Sequence, residues 1–203
     1  MHPYTTDENR VRVYGRIAFV AVVLAWGVVA LTSRFSWPQW LVSAPSVVGA
    51  YALIYSVVDR RLWRTAAMRR TGMVKVPDLS GTYDGSLVSV YKDERGERVK
   101  RDVSFTIKQT WTRISIAMEV QSDTSSSESI SAVASVRSEG DATVLTYIYK
   151  NRVNKGIADD DMGDHEGAAD LKIRPDGRMA GHYFNSRPRA GSITAARRAS
   201  AAQ

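Results

Sequence analysis

Two stretches of this chain alternate aromatic rings with hydrogen-bonding side chains. One is Tyr147-x-Tyr149-x-Asn151, and the other is Gly181-x-Tyr183-x-Asn185-x-Arg187. A spacing of two puts each set on one face of an extended strand. Such faces offer recognition rather than bond breaking. Rings stack on planar bases, amides read base edges, and a guanidinium pairs with phosphate. Tyrosine also alternates on ordinary solvated strands, so the occurrence of two such faces carries more than either alone.

Catalytic patterns are weak by comparison. The run Asp159-Asp160-Asp161-Met162-Gly163-Asp164-His165-Glu166 gathers acids around one histidine, but it lacks the ligand spacing of a calcium loop and reads as a solvated loop. There is no phosphate-cradling glycine loop, no nucleophile elbow and no zinc pattern, and His2 and His182 have no evident partners. Cysteine is absent, so there is neither thiolate chemistry nor a disulfide, as suits a reducing compartment. The residues therefore point to a binding protein, not an enzyme, with no metal and no cofactor.

Strands must position the two faces. After Pro77 short runs rich in Val, Ile, Thr and Tyr alternate with turn residues, and they predict eight strands. These are 81–91, 98–109, 111–120, 129–138, 142–151, 167–174, 178–187 and 191–198. Val103, Phe105 and Ile107 share one face; Ile114, Ile116, Met118 and Val120 share another. One apolar and one solvated face per strand predict an all-β domain, an eight-stranded antiparallel up-and-down β-barrel over 77–203. In that connectivity Asn151, Arg187 and the long loop 152–166 with His165 fall at the rim distal to the chain's entry. Tyr83, Gln109 and Trp111 fall at the proximal end, to close the floor or meet the segment before it.

Residues 1–76 have another character. They carry 10 Lys/Arg against 3 Asp/Glu, whereas the remainder is formally neutral. Two uncharged apolar runs, 17–32 and 40–58, predict transmembrane helices over about 15–33, where Arg16 can snorkel, and 40–58, joined by a short loop and followed by a basic linker. Ala21 and Ala25, like Ser46 and Ala50, are small residues four apart, a spacing that lets helices approach closely. Arg10, Arg12 and Arg16 precede the first run and six basic residues follow the second, with only Arg34 between. The positive-inside rule then predicts a multi-pass protein with both termini cytoplasmic. A basic anchor suits anionic membrane lipids, and a neutral domain argues against general DNA or RNA binding.

Further motifs resemble a known family. They are Val76-Pro77-Asp78-Leu79-Ser80-Gly81-Thr82-Tyr83-Asp84-Gly85, Lys108-Gln109-Thr110-Trp111, His165-x-Gly167, and Gly191 beyond the second ring-bearing stretch. With the helical hairpin and the barrel, they are similar to the two-transmembrane β-strand-rich effectors of the cyclic-oligonucleotide-based antiphage signalling systems (CBASS). Tyr83 stands where that family leads one to expect Trp. The resemblance implies a cyclic di- or oligonucleotide second messenger as ligand, made by a partner CD-NTase synthase. It implies a homo-oligomer on activation, in the bacterial inner membrane, whose spans disrupt the bilayer and kill the infected cell. Shared strand parity and a common distal end then mark Tyr147, Tyr149, Asn151, His165, Tyr183, Asn185 and Arg187 as the expected ligand-binding residues. Two rivals belong to other classes: a membrane-tethered carrier of lipocalin type, which needs an apolar cavity, and a membrane-bound hydrolase using His165.

Overall fold

The structure, a computed structural model, describes residues 1–32, 47–121, 127–153, 163–187 and 189–199. The chain divides into two compact units, Glu8–Val76 and a second made of Met1–Asp7 with Pro77–Gln203.

The first unit is helical. Helix α1 spans Arg10–Thr32 and α2 spans Val47–Arg60; a 3-10 turn at Leu62–Arg64 leads to a short α3, Ala66–Arg70. At 23 residues α1 is roughly 34 Å long, and Arg10–Leu31 is long and apolar enough to cross a bilayer. Among the described residues it alone meets that test, although two spans were expected. The described part of α2 has 14 residues, and positions 40–46 of the second expected span lie outside the described residues. On α1, Val13, Ile17, Ala21 and Ala25 are buried at intervals of four, whereas Phe19, Leu24, Trp26 and Leu31 point outwards. The small pair Ala21 and Ala25 thus belongs to the packed stripe; Ser46 of the other pair lies outside the described residues. Helices α1 and α2 pack together, with the Tyr14 and Tyr55 ring centroids 6.1 Å apart.

The second unit is the barrel. Its eight long strands are β3 Gly81–Lys92, β4 Arg98–Gln109, β5 Arg113–Gln121, β6 Ser127–Glu139, β7 Ala142–Val153, β8 His165–Ile173, β9 Arg178–Asn185 and β10 Ala190–Arg197. Each pairs antiparallel with its chain neighbour, β10 returns to β3, and β5 meets β6 to close the wall. Hairpins set the register. Gly140 and Gly177, with φ of 62° and 81°, take the left-handed conformation that other residues avoid. The wall's apolar faces turn inwards, and Phe105, Ile107, Ile114, Ile116, Leu145, Leu171, Met179 and Ile193 are at most 2% exposed. The lower and middle barrel is therefore a packed core rather than a channel.

Three details depart from the sequence expectation. Strand β5 begins at Arg113 rather than 111, because Thr110 N–H donates to the Arg113 carbonyl and turns the corner there. Strand β9 ends at Asn185, which leaves Arg187 on the bend beyond it, not on the strand face. His165 is the first residue of β8, paired with Asn151, rather than part of the loop.

Two very short strands complete the sheet. β1, His2–Pro3, pairs antiparallel with the start of β5, and β2, Thr5–Thr6, pairs parallel with β6 at Ser135 and Val136. Residues 1–7, expected with the helices, are thus part of the barrel unit. Alternation explains the placement: Tyr4 is buried between exposed Pro3 and Thr5.

Candidate functional site

The distal third of the barrel interior changes chemistry. Inward positions that are aliphatic lower down become Ser89, Ser129, Ser131, Tyr149, Asn151 and Tyr183, all under 9% exposed. His165, Asn185 and Arg187 are half-buried around them. Strand register brings them together: Ser129 lies opposite Asn151, Asn151 opposite His165, and Gly167 opposite both Tyr149 and Asn185.

Glycines make room for the rings. A Cβ on Gly167 would sit 2.4 Å from the Tyr149 hydroxyl oxygen, and one on Gly191 would sit 2.5 Å from a Tyr183 ring carbon. Each ring therefore lies over a glycine on the neighbouring strand. The Tyr147 and Tyr149 rings are 6.0 Å apart and tilted by 49°. Burial raises the Tyr149 phenol to about 12 and pushes that of Tyr147 up as well, so both are neutral donors at cellular pH.

The polar groups are incompletely paired. Asn151 Nδ2 is 3.2 Å from His165 Nε2, and Arg187 Nη2 donates to the Gly163 carbonyl at 3.0 Å. Yet Ser129 Oγ, Asn151 Oδ1 and Asn185 Oδ1 are buried without a hydrogen-bond partner. Each such orphan costs about 1–3 kcal/mol, so three at one rim are a concentrated penalty. Burial lowers the pKa of His165 below 6.5; the Gly163 carbonyl raises it, and the Arg187 and Arg189 charges lower it further. The Asp164 charge opposes the two arginines at His165, so the rim presents Arg187 and Arg189 beside this acid, with neutral acceptors and flat rings beneath.

The family model for the Cap15 cyclic dinucleotide receptor domain matches residues 74–197. This chain belongs to the Cap15 family. Its barrel is the cyclic dinucleotide receptor domain of a CBASS effector, and its ligand is a cyclic nucleotide. No curated protein matches the chain. Of the seven residues expected to bind ligand, Tyr147, Tyr149, Asn151, His165, Tyr183, Asn185 and Arg187 all lie on the inner wall or rim of the receptor's distal end. Sequence reading missed Ser89, Ser129 and Ser131. Ser129 and Ser131 were legible, since both share the inward parity of Ala134 and Val136 once the bulge in β6 between Ser131 and Val133 is allowed for. A groove of about 580 Å³ elsewhere on the barrel, bordered by Asp84, Asp102, Lys172, Arg174 and Arg178, mixes both signs of charge and, among the described residues, offers no aromatic ring for a base.

Proposed function

We propose that the distal rim of the Cap15 barrel binds one cyclic dinucleotide, and that binding drives copies together so that their helices break the inner membrane. One observation carries the ligand assignment: the orphaned oxygens of Ser129, Asn151 and Asn185, beside Arg187. A purine dinucleotide offers what they lack. Its exocyclic amines and ribose hydroxyls donate to the three acceptors. Its bases stack on Tyr149 and Tyr183, and its phosphates take the guanidinium donors of Arg187 not given to Gly163.

The barrel acts as a sensor, not an enzyme, and the helices execute. The outward-facing Phe19, Leu24, Trp26 and Leu31 of α1 support a lipid setting. Strand pairing of residues 2–6 supports an even number of crossings, since the chain leaves the barrel unit at Asp7 and re-enters it at Pro77. With the basic residues on both outer flanks, this favours cytoplasmic ends and a two-span hairpin. The apolar runs 17–32 and 40–58 carry no charge, so one hairpin cannot line an aqueous path and damage needs several copies. Assembly follows only if the ligand prefers the assembled state.

Calorimetry on the detergent-solubilised full chain with cyclic di-AMP, cyclic di-GMP and cyclic GMP–AMP tests the reading. At least one should bind, and the bound protein should sediment as a larger species. Full affinity in an Asn185→Ala, Arg187→Ala double variant would overturn the rim assignment. Bilayer leakage that persists when the hairpin sequence is scrambled would overturn the role of the helices.

A further inference from the structure

The barrel wall has a seam. Among the described residues, strands β5 and β6 pair directly only between Ala117–Val120 and Ser127–Ile130. Towards the proximal end residues 2–6 lie between them, with His2 and Pro3 on Ile114 and Arg113, and Thr5 and Thr6 on Ser135 and Val136. The insertion is held by more than backbone. Tyr4 is 4% exposed, and its hydroxyl donates to the Trp111 carbonyl at 2.9 Å and accepts from Gln109 Nε2 at 3.0 Å. His2 Nε2 lies 2.8 Å from Ser131 Oγ, which also accepts the Ile116 N–H. The Asp7 carboxylate accepts the Ser138 N–H at 2.9 Å. Without this segment two strand edges would lie open side by side, an arrangement sheets avoid.

β6 touches both the seam and the rim. It bears Ser129, one of the orphaned acceptors, then Ser131, then a bulge before Val133, then the residues that hold Thr5, Thr6 and Asp7. A bulge bends a strand and gives it a pivot. A ligand that drew the distal half of β6 inwards would lever its proximal half outwards, off β2. The strap's other end runs into α1 within three residues, Asp7 to Arg10.

We propose that residues 2–7 form a releasable strap: they dock in the β5–β6 seam, and ligand at the rim, acting through β6, frees them. The docking rests on the strand pairing and side-chain bonds of residues 2–7, whereas the release rests on the rim being the ligand site. The chain's lack of cysteine makes a direct test possible. Thr5→Cys with Ser135→Cys places a thiol pair across the strap–β6 contact, and Pro3→Cys with Arg113→Cys places one across the strap–β5 contact. Registered strand partners have Cα separations that a disulfide tolerates.

Mild oxidation of the full chain in detergent should give a crosslink at monomer mass from both pairs. Saturating cyclic dinucleotide, shown bound by calorimetry, should slow the Thr5–Ser135 crosslink about tenfold, which takes a preference for the released strap of roughly 100-fold when about a tenth of the free protein is already released. Failure of both pairs to crosslink would overturn the docked strap. An unchanged crosslinking rate with ligand demonstrably bound would overturn the release while leaving the rim assignment standing. Normal crosslinking with no dinucleotide bound would overturn the rim reading and the release together, and the docked strap alone would survive.

Discussion

The two ends of the barrel interior bury similar residues to opposite effect. At the proximal end Gln109, 2% exposed, accepts the Leu79 N–H at 2.8 Å and donates to Tyr4 and to the Pro77 carbonyl. Tyr83 donates to the Leu79 carbonyl. At the distal end Asn151, 8% exposed, uses its amide nitrogen on His165 and leaves its oxygen without a partner. The same chemistry is spent on the fold at the floor and held in reserve at the rim. A buried amide that is fully paired stabilises a structure, whereas one left unpaired is retained against a cost, and the rim repeats that cost on three strands.

Substitutions separate the two ends. Asn185→Ala with Arg187→Ala should weaken cyclic dinucleotide binding roughly 100- to 1000-fold, from loss of about 1.5–3 kcal/mol at the charged contact and about 1 kcal/mol at the amide. Its thermal midpoint should hold or rise slightly, because an orphaned oxygen goes with the Asn185 side chain. Titration calorimetry beside a melting curve reads both. A loss of stability with binding intact would mean that the rim is structural and that the contrast between the ends is false.

Gln109→Leu is the mirror experiment. It strands the Leu79 N–H in the floor and should destabilise the barrel by about 2–4 kcal/mol, with dinucleotide affinity undiminished for the molecules still folded, since it also frees Tyr4 of the strap. Denaturant unfolding followed by tryptophan fluorescence measures the first, and Trp111 in the floor reports on it. An affinity loss as large as that of the rim variant would show that the floor is itself part of the binding site.

Gly167→Ala probes the boundary between them. The new methyl group would collide with the Tyr149 ring and with the Phe184 carbonyl at 2.6 Å. Overpacking of this kind costs about 1–3 kcal/mol, and here it should fall on affinity and stability together because the ring is both wall and platform. Retention of wild-type binding and melting would mean that Tyr149 has room to move and does not form a fixed stacking surface.

The barrel itself was legible because alternation at period two survives in most of the long strands, and the hairpin turns are written in Gly, Pro and Asp. The rim was partly legible for the same reason: Tyr147, Tyr149 and Asn151 keep the inward parity through the end of β7. Where backbone leaves the strand geometry, parity stops informing. Arg187 sits on a bend, and only its bond to Gly163 shows where it points. The strap could not be read at all. Its two-residue strands are too short to show a period, and their partners lie more than 100 positions away in sequence. Such pairings are tertiary facts that local pattern does not encode.

The smallest effect separates the ends by pH. His165 is the rim's one histidine among the described residues, and burial depresses its pKa below 6.5. Its contribution to barrel stability is fully present above 6.5 and is lost as pH falls through the folded-state value, because the unfolded chain then binds the proton more readily. Bound phosphates would act in the opposite direction. Two negative charges near Arg187 and His165 favour the imidazolium, so binding takes up a proton and affinity rises as pH falls. The limit for one coupled proton is about tenfold per pH unit, and a few-fold gain between pH 7.5 and 6.5 is the expected outcome. Affinity should therefore rise over that window while stability holds, and stability should fall only below pH 6.5. His165→Gln keeps a hydrogen-bonding group beside Asn151 but cannot titrate, so it should flatten both trends. Calorimetry at several pH values in buffers of different ionisation enthalpy counts the proton directly. Proton release on binding, or a pH slope that survives in His165→Gln, would place the titrating group elsewhere and remove His165 from the phosphate's surroundings.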